Sequence, residues 1–289
     1  MNLNLINFQG LNCYSNCIVT IAAFLGVDYI RAFSSLWSET DFRYDTFRRV
    51  FLTRRMPAGL EALGARLDMR LLDRSAPEEA EARLDAVESG TLLLVGMDGY
   101  YIPWVPLYGL LHGPHYFIAV NTASSELKGF DPTYTLFNQP IPRESLHTHA
   151  FDISYLCRVP ASPFLEESTP ALQEAREILL THPQLLQNLT AQIRSCADGG
   201  HEQAILLAEY VDALISDRYL YRRYLQEQEL CEACPLFFRK EFFAQWTAVK
   251  NGLYKMSASR DTHIHDDVCM LLTGLLEQES ALAAKLAAE

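Results

Sequence analysis

Three residues of this chain, Cys13, His115 and Asp131, have the types and spacing to make and break an acyl bond. Cys13 opens an apolar run to Leu25 that contains Ala22 and Ala23 and stops at Gly26, a pattern that predicts a buried helix. A thiol at a helix start feels the positive end of the helix dipole, which favours the nucleophilic thiolate. The backbone N–H groups of the same first turn can stabilise an oxyanion. Taken alone, such a cysteine is more often a small buried side chain. His115 stands directly before the strand-like run Tyr116 to Val120, and Asp131 follows it by sixteen residues in Phe130-Asp131-Pro132. Singly, a core histidine and a turn aspartate before proline explain these two. Together they supply a base for the thiol and a carboxylate that fixes the imidazole tautomer and stabilises the imidazolium.

The elements that must position them follow from the pattern. Tyr116–Asn121 and Leu127–Phe130, separated by the polar turn Thr122–Glu126, predict a hairpin whose ends bring His115 and Asp131 together. Thr91–Met97 is a continuous apolar run that fits a central strand, with Leu67–Leu72 and Phe151–Val159 as further strands. Ala58–Arg66 and Pro77–Glu88 read as helices, the second capped near Ser75. Composition shifts near residue 160, where Pro160, Ser162 and Pro163 lead into Glu166, Glu167 and Ser168. Beyond it, Leu172–Leu180, Pro183–Ala197, Gln203–Ile215, Leu236–Ser257 and Asp266–Ala288 carry helical apolar spacing, with a break at Asp198-Gly199-Gly200. The expected organisation is an α+β domain over residues 1–160 and an all-helical domain over 161–289.

A chain with 24 basic and 36 acidic residues has a net charge of −12 and repels phosphate backbones, so no nucleic-acid partner is expected. Seven cysteines, without repeating spacing or a secretory signal, point to free thiols in a reducing compartment. No stretch reaches membrane-spanning length, so the expectation is a soluble cytoplasmic protein without a membrane partner. Arg48, Arg49, Arg54 and Arg55 are either a solvated surface or a docking patch for an acidic partner. Cys231-x-x-Cys234 has the spacing of half a zinc site, which His263 and His265 could in principle complete to four ligands. Their alternation ahead of Asp266 and Asp267 reads better as a polar helix start, and no metal site is expected.

A Cys at the start of a central helix, facing a His on a sheet, is the arrangement of papain-like cysteine enzymes. Asn12-Cys13-Tyr14-Ser15-Asn16-Cys17, running to Leu25-Gly26, resembles the nucleophile helix of the bacteriocin-exporter leader peptidases and of the butirosin biosynthesis protein H family of acyltransferases. His115 to Val120 with Asp131-Pro132 resembles both. Val95-Gly96-Met97-Asp98-Gly99-Tyr100-Tyr101-Ile102-Pro103 is similar to a stretch of the butirosin H family alone, and the helical half, with Phe237-Phe238-Arg239, Phe242-Phe243 and Trp246, loosely resembles that family's C-terminal region.

The resemblance implies a papain-like catalytic domain with Cys13, His115 and Asp131 as triad. It implies an acyl donor carried as a thioester on the phosphopantetheine arm of a carrier protein, and a small-molecule amine as acceptor. No cofactor of the protein's own is implied. Carrier proteins are usually acidic, which would give the four arginines a role. Two departures stand out. The oxyanion glutamine of papain-like enzymes lies about six residues before the Cys, whereas Gln9 lies four before it. The family's histidine before the Cys is here Asn12, which either donates to an oxyanion or caps the helix, the cap being favoured. Asp98 and Tyr101 either shape an acceptor pocket or form a turn with aromatic packing. Water as acceptor would instead give a peptidase, amidase or thioesterase. A catalytically silent protein, in which the helical half docks a partner or forms a homodimer, is the remaining reading.

Overall fold

The computed structural model describes residues 3–45, 50–69, 87–121, 126–162, 170–196, 200–259 and 263–288. The chain divides into two compact units, one of Met1–Tyr29 with Leu60–Ser162 and one of Ile30–Gly59 with Pro163–Glu289. The segment 30–59 therefore groups with the helices of the second unit, although in sequence it lies between helix Cys13–Phe24 and the sheet that begins at Ala65.

The first unit is α+β. Helix α1 (Cys13–Phe24) is buried along most of its length because its residues are apolar or small. Six strands form one antiparallel sheet. In chain order they are β1 (Ala65–Met69), β2 (Leu92–Asp98), β3 (Pro114–Val120), β4 (Glu126–Asp131), β5 (Leu136–Pro142) and β6 (Ala150–Arg158). Their order across the sheet is β1-β6-β2-β3-β4-β5. β2 is the apolar run expected at the centre, and β3 and β4 are the expected hairpin partners. The edge strand β5 went unread because Pro140 and Pro142 break the pattern of a strand, although prolines are tolerated at a sheet edge.

One sheet face is covered by the core of Leu93, Val95, Met97, Phe117 and Ala119 with Ile102 and Val105 of the β2–β3 loop and Leu146 of the short helix α2 (Arg143–His149). Helix α1 packs on β3, β2 and β6. Tyr116 meets Tyr14 of α1 edge to face, with ring centroids 5.0 Å apart. Gly96 makes room for that ring: a Cβ there would come within 2.5 Å of Phe151 and 2.7 Å of Tyr116. Residues 3–8 run back toward α1, where the Ile6 N–H donates to Thr20 Oγ1 at 3.0 Å.

The helix expected over Ala58–Arg66 is observed at Arg55–Ala62 and gives way to β1 at Ala65. The helix expected over Pro77–Glu88 falls, but for its last two positions, outside the described residues.

In the second unit the helices span Pro170–Ser195, His201–Glu227, Lys240–Ala258 and His263–Ala288. The first is continuous through Pro183, where two helices were expected. A buried stripe of Ile178, His182, Leu185, Leu189 and Ile193 spans the proline and offsets its missing hydrogen bond. The second runs twelve residues past the expected Ile215, because Leu220, Tyr221, Tyr224 and Leu225 extend its buried face. At the centre Arg218 and Glu279, both fully buried, form a two-bond ion pair at 2.5 and 2.7 Å. Trp37 Nε1–H also donates to Glu279, and the Arg218 guanidinium lies 4.5 Å from the Trp246 ring. Trp37 thus anchors the 30–59 segment to the helices. Among the described residues no helix is long and apolar enough to cross a membrane.

Candidate active site

The position of Cys13 is set by its neighbour. Asn12 Oδ1 accepts from the Ser15 N–H at 2.9 Å, and Ser15 Oγ accepts from the Asn12 N–H at 2.8 Å, a reciprocal capping box. Asn12 is therefore the cap, as favoured from sequence. Neither bond uses the backbone N–H of Cys13, the group placed to meet an oxyanion beside its own thiol. Cys13 is half-buried. Cys17, one turn on, has no exposure, and burial pushes its thiol well above the ordinary value. It is no second nucleophile. Gln9 lies exposed in the turn before the helix, where Gly10 takes a φ of +99°.

His115 opens β3 and Asp131 closes β4. The register Ile118↔Phe130 sets His115 opposite position 133, and Asp131 two residues inward on the same face. Their side chains meet, with Nε2 of His115 2.7 Å from Oδ2 of Asp131. His115 is 6% exposed and Asp131 0%. The Cys13 thiol is the imidazole's other polar neighbour and favours the protonated ring. Nε2 is committed to the carboxylate, so Nδ1 is the ring nitrogen left for sulfur. Burial disfavours the imidazolium, but the bond to Asp131 and the charges of Asp131 and Cys13 outweigh it and raise the His115 pKa to about 9. The three residues that the sequence singled out are thus brought together, His115 and Asp131 by a hydrogen bond and Cys13 beside the imidazole.

The carboxylate is held from four directions. Oδ2 also accepts from Trp104 Nε1–H at 2.8 Å, and Oδ1 accepts from the backbone N–H groups of Thr133 and Tyr134 at 3.0 and 3.3 Å. Thr133 ties this turn to the nucleophile helix: its Oγ1 accepts from Asn16 Nδ2 at 3.3 Å, and its carbonyl accepts from Asn7 Nδ2 at 3.0 Å. The Tyr134 ring lies 5.4 Å from that of His115 and is 41% exposed. Burial and the negative charges of Asp131 and Cys13 raise its phenol pKa, which places it beside both.

Trp104, Thr133, Asn16 and Tyr134 were missed by the sequence reading. Trp104 had one usable signal, an indole N–H in a loop without charged residues, between two strand ends.

Asp98 and Tyr101 make the turn and the aromatic packing that stood as the alternative to an acceptor pocket. Asp98 Oδ1 accepts from the N–H groups of Tyr100 and Gly113, both at 3.1 Å, and Oδ2 pairs with His112 Nδ1 at 2.7 Å. Burial alone would raise its pKa, but the His112 bond and the two backbone bonds hold it below the usual range. The carboxylate is a clasp that closes the 99–113 loop and so delivers Trp104 to Asp131. Tyr101 stacks on His149 with centroids 3.6 Å apart.

Of the arginine cluster, the two described members are paired with acidic side chains. Arg55 lies 2.8 Å from Glu177, 3.4 Å from Glu174 and 3.8 Å from Glu39, and Arg54 pairs with Asp41 at 3.2 Å. Arg48 and Arg49 lie outside the described residues. All seven cysteines are free.

No family model matches the chain, and no curated protein matches it. The likeness to the butirosin H family rests on the motifs quoted above.

Proposed function

We propose that the protein is a cysteine-dependent acyltransferase of papain-like architecture, with Cys13 as nucleophile, His115 as acid–base and Asp131 as the group that orients it. The observation that carries this reading is the buried His115–Asp131 hydrogen bond, with Cys13, at the start of α1, beside the imidazole. The Cys13 thiolate attacks the carbonyl carbon of a thioester, and the Cys13 N–H stabilises the oxyanion. His115 gives its proton to the departing thiolate. An amine then attacks the acyl-Cys13 carbonyl and passes a proton to His115, and Cys13 leaves as thiolate. The products are an amide and a free thiol. A thioester donor suits this site because exchange onto Cys13 is nearly isoenergetic. The carrier protein as donor, the amine of a natural-product intermediate as acceptor and a reducing, cytoplasmic setting come from the family resemblance and the free thiols.

The test is intact-protein mass spectrometry after incubation with acyl-pantetheine thioesters, comparing the wild type with Cys13→Ala. The expected result is an acyl adduct that is absent from the variant and is lost faster when an amine is added. An adduct lost at the same rate with and without amine makes the enzyme a hydrolase. No adduct, with Cys13 inert to iodoacetamide at neutral pH, overturns the nucleophile and leaves a binding protein.

A further inference from the structure

The surroundings of the triad are almost without charge. In a chain with 21% charged residues, positions 1–27, 99–111 and 132–142 contain no Asp, Glu, Lys or Arg. These segments are far apart in sequence, but the fold collects their working parts at one end of the sheet. The 99–113 loop joins the end of β2 to the start of β3, and residues 132–135 join the end of β4 to the start of β5. His115 and Asp131 stand at those same strand ends, and α1 begins there with Cys13.

The same loops expose apolar surface. Tyr101, Tyr108, Leu110, Leu111, Tyr134 and Phe137 are 37%, 53%, 75%, 64%, 41% and 46% exposed. Among the described residues of the sheet-containing unit, only Phe24 is a further large apolar side chain so exposed. Apolar side chains concentrated in this way mark a binding surface. The loop that carries four of them is fixed in shape. Asp98 and His112 clasp its base, the Gly109 N–H donates to the Tyr100 carbonyl at 3.0 Å, and Leu110 and Leu111 donate to the Leu107 carbonyl at 2.9 and 3.1 Å. Trp104 anchors its middle to the catalytic carboxylate.

We infer that the acyl group delivered to Cys13 is uncharged and apolar, a medium-length alkyl or aryl chain received by this rim. The inference rests on the acyltransferase reading and names its substrate class. Charge complementarity supports it. The rim's segments 99–111 and 132–142 hold no Lys or Arg to meet a phosphate or a carboxylate, and the Asp98–His112 pair at its base is already matched. The part of a donor that lies here is therefore the acyl chain and not a phosphorylated arm. Tyr134, against the base and beside the nucleophile, is where a chain would first meet the wall.

The experiment is the single-turnover acylation rate of Cys13, read by intact mass, with acetyl, butanoyl, hexanoyl, octanoyl, phenylacetyl and succinyl thioesters of N-acetylcysteamine. Full burial of a methylene is worth about fourfold, so a partly open rim should give at least about twofold per methylene up to hexanoyl. Succinyl should react at least about tenfold slower than butanoyl, because its carboxylate would be desolvated without a partner. Leu110→Asp and Leu111→Asp, both at exposed positions that do not threaten folding, should lower the hexanoyl-to-acetyl ratio. Rates flat with chain length, or succinyl equal to butanoyl, overturn this inference and leave the acyltransferase reading standing. That pattern would fit a rim that docks a partner protein instead. A length preference that both variants retain removes the rim from the explanation. No acylation by any thioester overturns both readings.

Discussion

Replacing Asp131 with asparagine should move the His115 titration downward by one to three pH units. The carboxylate lies 2.7 Å from Nε2, and both groups are almost without exposure. Two unit charges about 4 Å apart interact by about 4 kcal/mol at an effective dielectric constant of about 20. At about 1.4 kcal/mol per pH unit, that is an upper limit near three units. Loss of the charge-assisted hydrogen bond is already inside that figure, and relaxation of the site reduces it. The wild-type midpoint of about 9 should therefore fall to between about 6 and 8 in Asp131→Asn. The sign carries over to stability. The folded pKa of about 9 lies above the ordinary value of 6.5, so the imidazolium's contribution is fully present below about 6.5 and is lost as pH rises through 9. That contribution is on the order of 3 kcal/mol, and the variant loses about 1.4 kcal/mol of it for each unit by which the midpoint falls. The assay is a proton–carbon NMR titration of histidine ring signals, with the His115 resonance assigned by a His115→Gln spectrum. It needs no substrate and so tests the geometry independently of any activity. A midpoint in Asp131→Asn within half a unit of the wild type would refute the claim that this carboxylate holds the proton on His115.

Trp104→Phe removes one donor from Asp131 and should cost about 1.5–3 kcal/mol in chemical denaturation. It should also raise the His115 midpoint, since a carboxylate that loses a donor holds the imidazolium more tightly, a shift that a merely structural tryptophan would not produce. Asn12→Ala opens the capping box and should cost about 1 kcal/mol of stability, with slower alkylation of Cys13 by iodoacetamide. Wild-type rates of alkylation would separate the cap from the nucleophile's reactivity. Glu279→Gln leaves the Arg218 guanidinium buried without its countercharge and should cost about 3–5 kcal/mol in urea denaturation. An unchanged midpoint would mean that solvent or another group takes over the charge.

What the sequence revealed, and what it hid, follows from the range of the interactions. The β3–β4 hairpin was legible because apolar runs and a polar turn are local signals, and its closing ends carried His115 and Asp131 with it. The helix of Cys13 was legible for the same reason, and Asn12 could be favoured as its cap from its position alone. The clasp of Asp98 on His112 spans fourteen residues. Without it the position of Trp104 cannot be derived, so the donor to Asp131 stayed hidden. The 30–59 segment was harder still. Trp37 and Ser38 read as loop residues until their partners Glu279 and Glu174 are placed, 242 and 136 residues away in the chain. Arg55 shows the same dependence on distant partners. Arg55 stands out in sequence as part of a positive cluster, yet its charge is met by Glu39, Glu174 and Glu177. A run of like charges attracts attention but says nothing about what lies opposite it. Three uncharged segments are individually unremarked, because each is an ordinary apolar stretch. Antiparallel pairing converts them into a single surface: it places the β2–β3 and β4–β5 connections at the same end of the sheet as the nucleophile. The uncharged surface beside Cys13 is thus a property that no window along the sequence contains, and strand topology assembles it.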